Sequence, residues 1–265
     1  MRKFFATTGA FVQGSVEQSG FTVDLLLRSF YWLRHVRKRW RFIVDQMFNC
    51  GIRPLPVIVV VAVFTGMILA LQTGLELARF GQKERIADII GIVLCREMGP
   101  FMTALILTAS VGASMAAELG TMKVSEEIDA LEVMSIDPVT FLVMPRVLAL
   151  GIMCPLLTLF TNGIGVIGGS LVGAAQLDIA PEIYFRNVID SLSDDLTFFG
   201  LPKDLYTGLF KAHVFGITIA IIGCSTGLRA SGGALGVGRA TRSAVINAFL
   251  IVIISGYYMT WIFYR

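Results

Sequence analysis

Five stretches of this chain are apolar and free of charge for long enough to span a lipid bilayer, and they decide what it can fold into. A helix needs about 20 apolar residues to cross about 30 Å of hydrocarbon. Residues 54–75 supply 22 without a charge, 98–117 supply 20, 147–177 supply 31, 212–228 supply 17 and 243–264 supply 22. The second helix is expected to begin earlier, near Ile86. The third exceeds one crossing, so it tilts, breaks or projects from the bilayer. The fourth is short, with Lys211 at its edge and His213 inside. Only 15% of residues are charged, against about 25% in a soluble domain, too few to cover a globule of this size. That balance, with a net charge of +3, excludes a disordered chain and a basic nucleic-acid binder as well. Cys50, Cys95, Cys154 and Cys224 lie too far apart for a metal or redox spacing, and His35 and His213 cannot build a metal site alone. The expectation is an all-α integral membrane protein with five transmembrane helices and no catalytic constellation.

Five spans put the termini on opposite sides, and basic residues choose the sides. Residues 1–53 hold nine Lys/Arg, and 229–242 hold Arg229, Arg239 and Arg242 with no acid. A cytoplasmic N-terminus and an outer-side, periplasmic C-terminus follow, although Arg79, Lys83 and Arg85 in the first outer loop run against the bias. A cleaved signal is not expected at the first residues, because Thr7, Thr8 and Gly9 break the apolar core. Over 21–48, Phe21, Leu25, Leu26, Phe30, Leu33, Val36, Trp40 and Ile43 recur near helical spacing among six arginines and lysines. That pattern predicts a basic amphipathic helix in the cytoplasmic interface; a soluble helix packed on a partner is the alternative.

Between the second and third spans the charge reverses. Residues 118–138 carry six acids and one lysine, on a side that is otherwise positive. Ser125 reads as an N-cap, Glu126 and Glu127 suit the positive end of a helix dipole, and Asp137-Pro138 reads as the stop. Val124, Ile128 and Leu131 form one apolar stripe, so a short amphipathic helix of about three turns is expected below the membrane. It either caps its own bundle or docks a soluble partner.

These residues carry a family resemblance. LCREMGPFMTALILTASVGASMAAELGTMKVSEEIDALEVMSIDPVTFLVMPR, flanked by FTGMILALQ, GGSLVG, GLFKAHVFG and GVGRATRSAVI, resembles the MlaE-type permeases over about residues 45–255. These are membrane subunits of ABC transporters that work with MCE-domain proteins to move phospholipid between bacterial membranes and so support outer-membrane lipid asymmetry. The resemblance implies an inner-membrane permease domain over 54–265, preceded by a cytoplasmic segment over 1–53. It implies a homodimer on two ATPase subunits, a hexameric MCE protein on the outer side and a STAS-domain accessory subunit. No cofactor is expected on this chain; ATP and Mg belong to the ATPase, consistent with the absence of a GxxxxGK(S/T) phosphate loop. The coupling residues so implied are Glu118, Gly120, Thr121, Met122, Glu126, Glu127, Asp129, Leu131, Asp137 and Pro138. The chain departs from the family pattern at Ser110, where an arginine is usual, at Arg242, and at Gly256-Tyr257, where an acid often precedes the aromatic. We read Arg242 as partly replacing the charge lost at Ser110. The stretch 189–201, with Asp194 and Asp195, is longer than usual.

Charge at membrane depth is costly and points to function. Arg96 and Glu97 precede the Gly99-Pro100 kink signal, and Lys211 opens the fourth span. A diacyl lipid needs apolar walls and a polar rim; Arg96 and Lys211 suit the rim, with Glu97, Pro100 and Gln72 beside it. Phe64, Met67, Ile68, Leu71, Ile254, Tyr257 and Tyr258 suit the walls. The alternatives are structural pairing of Arg96 and Glu97, and a Lys211 that snorkels to the interface. The small residues of 163–170 permit close helix packing, and His213 satisfies a local hydrogen bond. Two other functions compete: an ATP-independent secondary carrier, which needs paired broken helices across an internal repeat that the sequence does not display, and a membrane scaffold that transports nothing.

Overall fold

The structure, a computed structural model, describes residues 2–31, 36–193, 200 and 202–265, with side chains from Val16 onward except at Arg37, Lys38 and Glu84. Among these residues there is no β-strand. Two helices, α1 (Arg2–Tyr31) and α2 (Val36–Gly51), precede the first span. Among the described residues five helices are long and apolar enough to cross a membrane: α3 (Leu55–Arg79), α4 (Ile86–Val124), α6 (Val139–Gln176), α8 (Lys203–Leu228) and α9 (Gly233–Tyr264). Short helices α5 (Glu127–Val133) and α7 (Pro181–Ser193) fill connections between them. The chain is a multi-pass membrane protein, with the five spans its sequence predicts.

The spans are longer than their charge-free cores. α4 has 39 residues and α6 has 38, each about 58 Å at 1.5 Å per residue, well beyond the hydrocarbon thickness. α4 does begin at Ile86. It contains two wide π turns, Leu94–Met98 and Thr108–Gly112, and α6 opens with a third, Val139–Val143. α8 reaches 26 residues because Asp204 and Lys211, which shorten its charge-free stretch, find partners on neighbouring helices.

Small residues bring the backbones together. A Cβ on Gly66 of α3 would overlap the carbonyl oxygen of Gly165 on α6, and one on Gly168 would overlap Val63 O. Gly208 and Gly216 of α8 meet Cys95 O on α4 and Leu150 O on α6 in the same way. This is the close packing expected of residues 163–170, and it suits a membrane, where dispersion contacts replace the hydrophobic effect as the force between helices. One apolar cluster joins α4, α6 and α8 around Leu107, Leu150, Phe215 and Ile219; a second, nearer the opposite end, joins α3, α4, α6 and α7 around Ile90, Leu94 and Tyr184. The Tyr184 hydroxyl is buried against Gly169 without a hydrogen-bond partner, and burial pushes its ionisation above the usual phenol range. Removing an unsatisfied buried hydroxyl gives back its desolvation cost, about 1–3 kcal/mol. Tyr184→Phe is therefore expected to keep or raise the thermal midpoint of the purified protein, and a clear fall would show a bond the hydroxyl makes.

The N-terminal region differs from its expectation. The helix expected over 21–48 falls across α1 and α2, and residues 32–35 between them, with Leu33 and Arg34, lie outside the described residues. Leu25 and Ile43 are buried, while Phe30 and Trp40 are exposed, so the apolar stripe is only partly inward. α1 lies against the end of α8, through Arg229 to Glu17 at 3.1 Å and Thr22 to Ser225 at 3.1 Å. α2 packs along α6, with Phe42 and Arg39 on the Phe141 ring. Residues 194–199 and 201, with Asp194 and Asp195, also lie outside the described residues.

Candidate functional site

The first π turn of α4 ends at Gly99-Pro100. Pro100 has no N–H to give the carbonyl of Arg96 four residues earlier. Lys211 supplies the missing donor: its Nζ lies 3.1 Å from Arg96 O, 2.5 Å from Glu97 Oε1 and 2.8 Å from Thr260 Oγ1. An ammonium has three donors, and all three are satisfied. Thr260 in turn donates to Glu97 Oε1 at 2.7 Å. Lys211 is 0% exposed, so it does not snorkel. Beside it, Arg96 pairs with Asp204 at 2.8 Å and stacks on the Tyr264 ring at 3.9 Å, while the Tyr264 hydroxyl donates to Asp204 at 2.5 Å. Two cations and two anions thus close a neutral network that ties α4, α8 and α9 together near the start of α8 and the end of α9.

A cavity of about 400 Å³ opens onto one side of this network, lined by Glu97, Lys211, Phe101, Phe215, Gly256 and Tyr257. It offers an apolar wall and one polar edge, the Glu97–Lys211 pair. Tyr257 is exposed and sits edge-on to Tyr258 at 5.6 Å between ring centroids. Arg96 does not line this space; its charge is spent on Asp204. Pro100 is buried against Gly208. Leu71 and Met67 pack onto the second apolar cluster, and Gln72 is exposed on α3, away from the cavity lining. Asp204, Thr260 and Tyr264 were not singled out from sequence. Asp204 stands seven residues before Lys211, two turns along the same helix face, and that spacing was a readable sign.

The same device recurs in α6. Pro155 cannot donate to Gly151 O, and His213 Nδ1 lies 2.8 Å from that oxygen. A carbonyl only accepts, so Nδ1 carries the proton. His213 therefore satisfies a hydrogen bond, but across to α6 rather than locally within its own helix.

At the other end of α4 the acidic connection forms a helix, but not the one the sequence predicts. α5 has seven residues, about two turns rather than three. Ser125 does not cap it: its hydroxyl turns back to Thr121 O at 2.6 Å, closing α4, and Glu126 takes the cap position with φ +61°. α5 stops at Val133, before a left-handed Ser135, rather than at Asp137-Pro138. Asp137 instead starts α6, accepting from Val139 N at 3.1 Å and Thr140 Oγ1 at 2.7 Å, with Pro138 next to it. Ile128 is buried; Leu131 and Met122 are half-buried and face the core. Gly120 sits against Ala230 and Val237, and Thr121 Oγ1 donates to Ala117 O. Glu118 is held by Arg146 at 3.1 Å and Ser114 at 2.9 Å, and Asp129 by Lys123 at 2.6 Å. What remains outward is Glu126, Glu127 and Glu132 around an apolar tip, Val133 at 85% and Met134 at 62% exposure.

Ser110 bonds back to Ile106 O at 2.6 Å, and Arg242 is exposed on α9. Among the described residues no hydrogen bond or ion pair links them.

A family model described as Permease MlaE matches residues 43–262. A probable ABC transporter permease protein of Rickettsia prowazekii is 42% identical over 223 residues, 84% of this chain and 83% of that one. One of Synechocystis is 36% identical over 222 residues, 84% and 81%. The protein TRIGALACTOSYLDIACYLGLYCEROL 1, chloroplastic, of Arabidopsis thaliana is 33% identical over 226 residues, 85% and 62%.

Proposed function

The chain belongs to the MlaE permease family, and from that premise we propose that it is the non-catalytic membrane subunit of an ABC transporter for phospholipid. Two copies sit on two ATPase subunits, which bind ATP and Mg. Lipid passes between the inner membrane and a hexameric MCE protein on the outer side, supporting outer-membrane lipid homeostasis, with a STAS-domain subunit as an accessory. The N-terminus is cytoplasmic and the C-terminus periplasmic. Residues 1–53 lie on the cytoplasmic side and 54–265 form the transport domain.

The observation that carries the ATPase attachment is α5. Ile128 anchors it to the core, while Glu127, Glu132, Val133 and Met134 face outward at the end of α4. An apolar knob ringed by acids is a surface for a basic-rimmed groove, and its short link to α4, tied by Lys123 to Asp129 at 2.6 Å, lets a displacement there reach the Glu97–Lys211 network. The cavity beside that network supports the lipid cargo, since it joins apolar walls to one polar edge, and the Arabidopsis relative carries a diacylglycerol lipid in its name.

Glu127→Lys combined with Val133→Asp is expected to abolish co-purification of the ATPase under mild detergent while leaving the permease folded, since both side chains are exposed. Full retention of the ATPase by that variant would remove α5 as the attachment point. An ATP-independent carrier is the competing reading, and the interrupted helices α4 and α6 are the feature it draws on. Lipid flux in proteoliposomes that persists without ATP would favour it. A scaffold that transports nothing predicts no flux in either condition.

A further inference from the structure

A larger cavity, about 570 Å³, lies nearer the opposite end of α4, where α2 turns into α3. Its rim carries Gln46 and Asn49 from α2 and Arg53 from the turn. Its wall is Val57, Leu105 and Ile106. The second π turn of α4 forms the floor, and two small side chains there, Ala109 and Ser110, keep the space open; Ser110 folds its hydroxyl back to Ile106 O at 2.6 Å. Arg53 is exposed and makes no hydrogen bond or ion pair among the described residues. Glu118 reaches the same lining, but Arg146 and Ser114 already hold its two oxygens.

An uncommitted guanidinium with two side-chain amides beside it matches a phosphate, whose oxygens accept the parallel N–H pairs that arginine presents. A soluble phosphate has no use for the apolar wall below. The volume falls in the range of small-molecule sites, about 300–1,000 Å³. It suits a headgroup and the first part of a chain, with the remaining tail in the bilayer. Basic residues at this level also attract anionic lipid by field alone.

We propose that this cavity is a second lipid site, which takes the phosphate headgroup of a cytoplasmic-leaflet phospholipid on Arg53, Gln46 and Asn49 and lays acyl chain along Val57, Leu105 and Ile106. The leaflet rests on the N-terminal orientation proposed above; the site itself does not. It gives the permease a hold on the inner leaflet, separate from the cavity at the Glu97–Lys211 pair.

The test is photolabelling of the purified full chain in phosphatidylcholine vesicles doped with a phosphatidylglycerol bearing a diazirine on its acyl chain, with labelled peptides mapped by mass spectrometry. Label is expected on the segment 105–111. Arg53→Glu should lower it about tenfold, Ser110→Trp should lower it by filling the space, and Arg53→Lys should keep most of it. Label undiminished in both Arg53→Glu and Ser110→Trp would overturn the site. So would equal label from a diazirine diacylglycerol, which lacks the phosphate, or displacement by inorganic phosphate, which would mean a soluble-anion site. The assay uses neither ATPase nor ATP. Its failure therefore leaves the transporter reading standing, whereas loss of that reading through the α5 experiment leaves the labelling result untouched.

Discussion

Glu97→Gln is expected to destabilise the protein by about 3 kcal/mol or more, because it strands a fully buried ammonium. Lys211 keeps its bonds to Arg96 O and Thr260, but a neutral amide does not balance its charge. Breaking a buried pair by removing one partner costs about 3–5 kcal/mol, while replacing both partners by apolar groups of similar size is often near neutral. Glu97 is 37% exposed at its side chain, toward the cavity, which places the effect at the lower end. The double variant Glu97→Gln/Lys211→Met should recover at least half of the loss, measured as the midpoint of thermal unfolding in detergent. A double variant no more stable than Glu97→Gln would rule out the uncompensated charge as the cause. The same pair of proteins divides structure from transport: a double variant that is stable but moves no lipid assigns the pair a part in the cargo path.

Gly66→Val should leave no recoverable folded protein. The added side chain runs into Gly165 O, a backbone atom that no rotamer change can move, so α3 must leave α6. Overpacking of this kind costs about 3 kcal/mol or more when the obstacle cannot relax. Gly163, in the small-residue run of α6 that Gly66 meets, is the control: nothing lies within 4 Å of a Cβ there, and Gly163→Ala should change stability by no more than about 0.5 kcal/mol. Equal behaviour of the two variants, measured as monodisperse yield after extraction, would show that the contact is not what holds α3 in place.

The five spans were legible because a bilayer accepts only helices whose side chains are apolar over a full crossing. For the same reason a charge inside one stood out, and Arg96, Glu97 and Lys211 were found. Their partners were not. Thr260 and Tyr264 lie where polar residues are unremarkable in sequence, Asp204 is marked only by its seven-residue spacing to Lys211, and their meeting is set by how α8 and α9 lie against α4. The acidic connection showed its helix but not its limits. Ser125 has the chemistry of a cap for either the helix before it or the one after it, and the left-handed turn at Glu126 gives it to the former. Asp137 likewise faces two helices, and its two bonds go forward. The π turns of α4 and α6 leave no local pattern, apart from the proline that stands two residues after the first and the third, Pro100 and Pro145.

α8 stands between two helices in each of which a proline leaves a carbonyl without its internal donor. Lys211 takes the orphaned oxygen on α4 and His213 the one on α6. Two residues apart on a helix means about 200° apart around its axis, so these grips point to opposite sides. The fourth span works as a splint bound to both neighbours: straightening either of them detaches it from that side, and carrying it along drags the other.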